Sequence, residues 1–454
     1  KSKFCRYFSR TICVDRRMAV KKNPNQYLCL APWTHTYLSP QTERRMCCAS
    51  TESAQNFTQY IDAEDGNNKY EPLTLEQHWN SDHMKSVRRR MMAGEELPEC
   101  KVCNKQLLNA DVYRNWFNTM FKKYEQDIWY NTDPDGSTTM KPISFDYRFT
   151  NLCNFKCRMC GPMLSSSAET EAKKMNSWDP GSDPWMAPPV RDMISEFQDT
   201  QIEKEFSDAV EEKRIEEIYW VGGEPLMYEQ HWKYLKRIVE LGYPENVMLR
   251  YNTNLSRVNY KKQNLWELLS NFPRWNILAS LDATGRIGEY IRTGLKYEQF
   301  IKNLEDGIKT AKGQHQRIDL DLTITTPGLL DLKNMFDLSV KYRTILYTKV
   351  VFTFTNDLIL SPITVPKDIL HGIIDDVLEY AKPKATWRQQ NFINTLEALK
   401  TRPTTQEEYH NSFYSGWEKG KARIKKLENF RKDSYTLDNI LEEHKGLSAW
   451  YQSI

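Results

Sequence analysis

The stretch RFTNLCNFKCRMCGP, residues 148–162, places three cysteines within eight positions: Cys153, Cys157 and Cys160. The whole chain of 454 residues has only 10 cysteines, so this crowding sets the segment apart. Three thiols cannot all pair into disulfides, but their thiolates can bind zinc or an iron–sulfur cluster. A closed structural zinc site takes four protein ligands, whereas three thiolates on a four-iron cluster leave one iron free.

From residue 143 onward, six predicted strands alternate with predicted helices. The first of these strands leads directly into the cysteine segment. The strands are ISFDYRF (143–149), EEIYWV (216–221), NVMLRYNTN (246–254), WNILASLDA (275–283), RIDLDLTIT (317–325) and KVVFTFTND (349–357). Predicted helices lie at 168–178, 206–215, 231–242, 265–272, 297–312 and 329–342. Such alternation is typical of parallel βα units, and the pattern fits either a partly closed barrel or an open doubly wound sheet. Because active groups collect at the C-terminal ends of parallel strands, the cysteine segment stands where a catalytic site is expected.

Turn-forming residues in NTDPDGSTTMKP, 131–142, predict a domain boundary. We therefore expect three domains: an N-terminal module over 1–141, the βα domain over 142–360 and a helical extension over 361–454. The extension contains helical patterns at 366–381 and 391–400 and a charged tail at 416–434.

The overall charge is close to balanced, with 63 basic and 60 acidic residues and a net charge of +3. That balance argues against nucleic acid binding by bulk charge. The sequence contains no run of 18 apolar residues, so we predict no membrane-spanning helix. Its basic first stretch, KSKFCRYFSRTICVDRRMAV, lacks the apolar core of a secretory signal. Ten cysteines without such a signal indicate a reducing compartment, so we expect a cytoplasmic protein.

The spacing C-x3-C-x2-C after the first strand resembles the radical S-adenosylmethionine (SAM) superfamily. The resemblance implies a partial (β/α)6, TIM-like barrel and a [4Fe-4S] cluster held by Cys153, Cys157 and Cys160 as both metal ligands and catalytic residues. In that family the free iron is chelated by the amino and carboxylate groups of SAM. One electron then cleaves SAM to methionine and a 5′-deoxyadenosyl radical, which abstracts a hydrogen atom from the substrate.

Further segments resemble the family's motifs in the expected order. WVGGEPLM (220–227) resembles the GGEP motif that contacts the SAM amino group, YNTN (251–254) and SLDA (280–283) end the next two strands, and YIRTG (290–294) resembles a segment whose arginine reaches the SAM carboxylate. The implied cofactor-binding residues are Gly222, Gly223, Glu224, Pro225, Asn254, Ser280, Asp282 and Arg292. The plainer interpretations are an ordinary turn at GGEP, helix caps at the strand ends and a surface ion pair at Arg292.

The N-terminal cysteines resemble an auxiliary-cluster module of the SPASM/twitch type, here placed before the barrel. The matching stretches are CLAPWTHTYLSPQTERRMCC (29–48) and HWNSDHMKSVRRRMMAGEELPECKVC (78–103), and the position of the pattern's glycine is occupied by Thr42, which predicts an altered turn. The resemblance implies a second [4Fe-4S] cluster ligated by Cys29, Cys47, Cys100 and Cys103, with a role in electron transfer or structure. Two alternatives stay open: Cys48 in place of Cys47, and zinc in place of the cluster.

The implied activity is radical modification of a peptide or protein side chain by crosslinking, epimerisation or oxidation. The alternatives are a sugar, a small metabolite or a nucleic-acid base as substrate, or a non-enzymatic zinc- or cluster-binding module. The resemblance also implies an external electron donor such as flavodoxin or ferredoxin. If Cys47 is the ligand, Cys48 is a candidate hydrogen-atom donor, while Cys5 and Cys13 belong to neither set.

Overall fold

The centre of the protein is an eight-stranded, mostly parallel sheet. The structure is a computed structural model that describes residues 26–51, 60–62, 68–104, 113–181, 184–351, 358–401 and 413–454. Its strands are β1 (His35–Leu38), β2 (Arg44–Arg45), β3 (Tyr60–Asp62), β4 (Asn68–Tyr70), β5 (Ser144–Tyr147), β6 (Glu217–Trp220), β7 (Met248–Thr253), β8 (Asn259–Tyr260), β9 (Gln263–Asn264), β10 (Arg274–Ser280), β11 (His315–Ile324) and β12 (Leu346–Val350). The large sheet has the order β12-β11-β10-β7-β6-β5-β1-β2, and β3–β4 and β8–β9 form two short ribbons.

The predicted strands are confirmed as β5, β6, β7, β10, β11 and β12, which lie side by side in chain order and are all parallel. A doubly wound sheet reverses its strand order at a switch point, and these six strands have no such reversal. The fold is therefore the α/β, partial TIM-like barrel that the sequence predicts. The prediction for the last strand, 349–357, starts three residues late, and its positions 352–357 lie outside the described residues.

Helices follow the strands and cover the outside of the sheet. Within the described residues, those from the barrel are Ser166–Lys174, Pro188–Phe197, Glu203–Glu211, Glu229–Glu240, Leu265–Leu269, Gly285–Ile291, Tyr297–Thr310 and Leu332–Tyr342. Those before the barrel are Ala31–Thr34, Leu75–Trp79, Asp82–Met92, Lys101–Asn104, Tyr113–Met120 and Glu125–Tyr130, and those after it are Lys367–Ala381, Gln390–Thr401, Phe413–Arg431, Leu437–Leu441 and Lys445–Ser453. The predicted helical extension after residue 361 is thus present, and most of its charged tail is the helix Phe413–Arg431.

The strands alternate between an apolar outer face and a polar inner face. In β10, Trp275, Ile277 and Ala279 are fully buried, whereas Asn276 and Ser280 on the other face are only partly buried. Successive side chains of a strand point to opposite faces, so one face packs on the helices and the other lines the interior of the barrel. Polar side chains thereby reach the interior of the barrel on several neighbouring strands.

The N-terminal third joins the same sheet instead of lying apart from it. β1 pairs in parallel with β5, Leu38 opposite Tyr147, and β2 adds an antiparallel edge. The sheet therefore continues across the boundary expected at residue 141, and the division into domains stays a prediction. In the turn between β1 and β2, Thr42 has φ of 67°, the left-handed conformation that favours glycine, so the backbone keeps the glycine-type conformation despite the change of residue.

A separate apolar cluster underlies the N-terminal cysteines. Its buried members are Cys29, Leu30, Ala31, Trp33, Met46, Val87, Met91, Leu97, Phe117, Phe121 and Ile128. Burial of such side chains against one another is the main force that holds this part of the chain in place. Among the helices of the described ranges, none is long and apolar enough to cross a bilayer.

Candidate functional site

The three-cysteine loop leaves the C-terminal end of β5 and is closed by short-range hydrogen bonds. The backbone N–H of Cys160 donates to the carbonyl of Cys157 at 3.0 Å, and that of Cys153 donates to Ser166 Oγ at 3.1 Å. The thiols of Cys157 and Cys160 lie close enough for the first to donate a hydrogen bond to the second. The loop therefore brings the thiols of Cys157 and Cys160 together at the mouth of the barrel, and Cys153 belongs to the same loop.

The thiols of this loop differ in acidity because their surroundings differ. The pKa of Cys160 is lowered to about 7, first by the hydrogen bond from Cys157 and further by the charges of Arg292 and Lys349. Burial raises the pKa of Cys153 to about 12. A lowered pKa at Cys160 favours the thiolate, which is the form of cysteine that binds soft metals.

The GGEP segment packs directly against the cysteine loop. A Cβ added at Gly223 would lie 2.3 Å from the carbonyl oxygen of Leu152, so only glycine allows this approach of the two backbones. The hydroxyl of Tyr228 accepts a hydrogen bond from the Gly223 N–H at 2.7 Å and donates to the carbonyl of Thr150 at 2.8 Å. Gly222 has φ of 126°, which also requires glycine, and Pro225 begins a 3-10 turn, Pro225–Met227.

Glu224 is buried and already accepts hydrogen bonds from its neighbours. Its carboxylate receives the Thr253 hydroxyl at 2.6 Å and the backbone N–H groups of Asn254 and Leu226 at 2.7 and 3.1 Å. Burial nevertheless raises its pKa to about 7. A carboxylate has about four lone-pair positions, so one remains for a ligand such as an ammonium group.

Asn254 and Asp282 border the cysteines from the ends of β7 and β10, and Arg292 does so from the end of the helix Gly285–Ile291. The Asn254 amide lies 4.0 Å from Cys153 Sγ and donates to the Asn154 side chain at 3.1 Å. Arg292 forms an ion pair with Asp282, Nε to Oδ2 at 2.7 Å, which corrects the plainer interpretation of a surface pair because the Asp282 side chain is fully buried. Ser280 is the last residue of β10 and is partly buried.

The N-terminal cysteines meet in a second place. Cys29, Cys47, Cys100 and Cys103 line one cavity with Tyr113 and Phe117. Burial raises the pKa of Cys29 to about 12 and that of Cys100 to about 11. Four thiols in an otherwise largely apolar cavity are a donor set that suits a soft, fully ligated centre such as an iron–sulfur cluster or zinc.

Cys48 does not line that cavity. Its thiol is hydrogen-bonded with Tyr113 and lies within reach of the charges of Asp146, Arg148 and Arg250, which belong to the β5 and β7 side of the barrel. Burial and Asp146 raise its pKa to about 11, against the opposite effect of the two arginines. Between the two alternatives of the sequence, Cys47 therefore lines the cavity and Cys48 does not.

A row of polar side chains inside the barrel was missed by the sequence prediction. Tyr219 Oη donates to Asn252 at 2.6 Å, Asn252 donates to Asp321 at 2.8 Å, and Lys349 Nζ pairs with Asp321 at 2.6 Å. All four belong to strands, and polar residues at alternate strand positions were the available signal. The charge of Lys349, at one end of the row, also lowers the pKa of Cys160.

The donor sets have the chemistry expected of two thiolate-bound centres. Over the described part of the chain, no group of three or more His, Cys, Asp or Glu side chains is arranged to hold a single metal ion. Cys5 and Cys13 lie outside the described residues. The three-thiol loop beside a buried carboxylate and an arginine fits a cluster together with a ligand that carries both an ammonium and a carboxylate.

Comparison with known families agrees with this site. Residues 147–312 match the sequence model of the Radical SAM superfamily, a range that includes the three-cysteine loop, GGEP and Arg292. This part of the chain is a radical SAM domain, a family whose cofactors are a [4Fe-4S] cluster and SAM.

Three solved structures are similar to this chain at low identity. anSMEcpe with bound AdoMet and Cp18Cys peptide is 14% identical, with a TM-score of 0.32, over 51% of this chain and 58% of that one. SuiB of Streptococcus suis bound to S-adenosylmethionine is 12% identical, with a TM-score of 0.34, over 68% and 64%. TYW1 with a lysine-pyruvate adduct is 15% identical, with a TM-score of 0.29, over 64% and 91%. The match thus spans about three fifths of the anSMEcpe and SuiB chains, and no curated protein matches this chain in sequence.

Proposed function

We propose that this protein uses a [4Fe-4S] cluster at Cys153, Cys157 and Cys160 to cleave SAM reductively and to abstract a hydrogen atom from a substrate. The observation that carries the proposal is the convergence of the cysteine loop, Glu224 and Arg292 at one end of the barrel. When bound, the cluster supplies the electron for SAM cleavage, and the chain's own residues bind and orient the cofactor.

Each bordering residue has a distinct task in this proposal. Glu224, ionised, accepts the SAM ammonium at its remaining lone-pair position, while Thr253 and Asn254 hold its orientation. Arg292 has N–H groups beyond those that contact Asp282, and these donate hydrogen bonds to the SAM carboxylate. Gly222 and Gly223 let the backbone approach the cofactor, and Asn254, Ser280 and Asp282 line the same edge.

For the N-terminal site we propose a second [4Fe-4S] cluster on Cys29, Cys47, Cys100 and Cys103. Complete ligation by thiolates leaves no open iron, so its role is the transfer of electrons or the support of the fold. The shared cavity of the four thiols supports this ligand set. An external one-electron donor such as flavodoxin or ferredoxin, and a cytoplasmic location, belong to the same proposal.

Cys48 is proposed as a hydrogen-atom donor to the substrate. Its S–H bond would break homolytically while a C–H bond forms on the substrate radical, and the sulfur would recover one electron from the reduced auxiliary cluster and one proton from solvent. Its position beside β5 and β7, next to the neighbouring Cys47, supports this role. An undiminished product yield from Cys48→Ser would remove it.

The proposed substrate is a peptide or protein side chain, to be crosslinked, epimerised or oxidised. The resemblance of the N-terminal cysteines to modules of peptide-modifying relatives supports this choice, and the polar row from Tyr219 to Lys349 offers donors and acceptors that suit amide groups. Sugars, small metabolites and nucleic-acid bases are the alternatives. This choice rests on analogy with the family and not on a feature unique to the site.

The test is SAM cleavage by anaerobically reconstituted protein. With dithionite and SAM, the wild type is expected to release 5′-deoxyadenosine, Cys157→Ala to release none, and Cys48→Ala to keep SAM cleavage. Counts of iron and acid-labile sulfide on the same samples separate clusters from zinc. Production of 5′-deoxyadenosine by Cys157→Ala at the wild-type rate would overturn the proposal.

A further inference from the structure

The C-terminal extension contacts the cysteine loop itself. At the end of the helix Phe413–Arg431 and just beyond it, three side chains point at the loop and its supports: Glu428, Arg431 and Asp433, here called the C-terminal clamp. These residues lie more than 100 positions beyond residue 312, where the match to the radical SAM model ends. The clamp is therefore an addition to the domain and not a part of its motifs.

Arg431 joins three segments of the site. Its guanidinium donates to the carbonyl of Lys156 at 3.0 Å, inside the cysteine loop, and to Thr293 Oγ1 at 2.8 Å, next to Arg292. It also forms a two-point ion pair with Glu171 at 3.0 and 2.5 Å, and both side chains are nearly inaccessible, 5% and 7% exposed. Such a multiply bonded, buried guanidinium fixes the groups around it.

The backbone explains why these contacts act on the cofactor-binding groups together. Lys156 N–H donates to the carbonyl of Thr293 at 2.8 Å, and Arg158 N–H donates to that of Ile291 at 2.9 Å. The cysteine loop and the segment that carries Arg292 thus run alongside each other. Arg431 bridges the two segments from outside, so it holds the sulfur ligands in register with Arg292.

The second half of the clamp holds the one cation between Cys157 and Cys160. Arg158, whose side chain is 1% exposed, pairs with Asp433 and lies over the ring of Tyr290 at 3.7 Å. Tyr290 in turn donates to Glu428 at 2.7 Å. Arg158 stands between two sulfur ligands in the chain, and its pair with Asp433 is largely shielded from solvent, so we expect both charges to act on a centre bound there.

We propose that the C-terminal clamp positions the cluster-binding loop and that the Arg158–Asp433 pair sets the reduction potential of its cluster. The inference rests on the proposed cluster at Cys153, Cys157 and Cys160, but its first part concerns the loop alone. Arg431 and Asp433 are positioning residues, since they act through the loop and touch no sulfur.

Accessibility of the thiols in cluster-free protein tests the first part without any cofactor. In Arg431→Gln, alkylation of Cys157 followed by peptide mass spectrometry should be about tenfold faster, because the loop opens once several bonds to a charged group are gone. Arg431→Lys should recover part of the protection, and Lys426→Gln, an exposed lysine of the same helix, should match the wild type. In reconstituted protein, Arg431→Gln should lose iron to a chelator about ten to a hundred times faster.

Potentiometric EPR tests the second part by the sign of the shift. The cluster of interest is the one whose signal is missing in Cys157→Ala. Asp433→Asn leaves Arg158 unpaired and should raise the midpoint potential, because an extra positive charge favours the reduced cluster. Arg158→Gln leaves Asp433 unpaired and should lower it, and the double variant, which buries no lone charge, should return close to the wild type.

The outcomes separate this inference from the proposed function. If the wild type binds no iron that depends on Cys157, the proposed function fails, while the alkylation result still decides the role of Arg431. If the wild type binds the cluster but Arg431→Gln neither exposes Cys157 nor releases iron faster, the positioning role is wrong. Shifts of the same sign in Asp433→Asn and Arg158→Gln would overturn the electrostatic role, since damage to the fold does not depend on the sign of the charge removed.

Discussion

Arg292 and Asp282 form a two-point ion pair at the mouth of the barrel, with Nε 2.7 Å from Oδ2 and Nη2 3.0 Å from Oδ1. Asp282 follows β10, Arg292 follows the helix Gly285–Ile291, and the same carboxylate accepts the Thr323 N–H of β11 at 3.0 Å. The pair therefore ties two strands and a helix together beside the cysteine loop. Its stability and its proposed contact with SAM depend on the same geometry.

Asp282→Asn is expected to destabilise the protein by about 3 kcal/mol, because it leaves a largely buried guanidinium without its counter-charge. Urea unfolding of cluster-free protein measures the loss. Asp306→Asn is the matched control: its pair with Lys309, at 3.6 Å, has both partners exposed, so the change should stay below about 1 kcal/mol. Equal losses in the two variants would contradict the structural role of the Arg292–Asp282 pair.

Local patterns made the barrel predictable, because the alternation of buried and partly buried residues in β10 and the cysteine spacing can each be recognised in a short stretch of sequence. The contacts that complete the site are different in kind. β1 pairs with β5 across more than 100 positions, and Arg431 reaches Lys156 across 275. Neither HTYL in β1 nor a single arginine in a charged helix indicates its partner, because such contacts depend on how the elements pack and not on local propensity. At Thr42 the sequence predicted an altered turn, yet the backbone there is left-handed, as it would be for glycine. The Thr42 N–H donates a hydrogen bond to the carbonyl of Ser39 at 2.9 Å, which stabilises this conformation.

The neighbouring cysteines 47 and 48 are expected to differ in their effect on bound iron. Cys47→Ala should lose up to about four irons per chain, because one of four thiolate ligands of the auxiliary site is removed. Cys48→Ala should keep the wild-type iron content, since this thiol does not line the cavity of the other four cysteines. Iron and sulfide analysis after anaerobic reconstitution checks both, and the reverse result would assign the ligand to Cys48.

Glu224 is expected to make the stability of the protein fall as the pH rises from about 4.5 to 7. Its pKa is raised by burial to about 7 from an ordinary value of 4.5. A raised pKa means that the folded state holds the proton more tightly, so this contribution is complete below pH 4.5 and is lost as the pH passes 7, about 3 kcal/mol in all. Unfolding free energies at pH 5, 6, 7 and 8 measure it, and Glu224→Gln should remove this part of the slope.

Thr253→Val provides the second variant for that experiment. The Thr253 hydroxyl donates to Glu224 at 2.6 Å and so favours the charged carboxylate, as does the charge of Arg292. The charged carboxylate in turn raises the pKa of Cys153. Removal of the hydroxyl should raise the pKa of Glu224 further and move the fall in stability to higher pH. A shift to lower pH would show that another group causes the dependence.

Gly223→Ala is expected to displace the cysteine loop, whereas Gly161→Ala at its other end should not. A Cβ at Gly223 would meet the Leu152 carbonyl oxygen at 2.3 Å and backbone carbons at 2.8 Å, and backbone atoms cannot move aside as a flexible side chain can. Overpacking of this kind costs about 1–3 kcal/mol, and because Leu152 precedes Cys153, the iron content should fall as well. A Cβ at Gly161 would meet no atom within 4 Å, so that variant should stay within about 0.5 kcal/mol of the wild type and keep its iron. Thermal unfolding and iron analysis of the two variants side by side check the pair, and a Gly223→Ala protein with wild-type iron content would mean that the close approach of GGEP does not hold the loop in place.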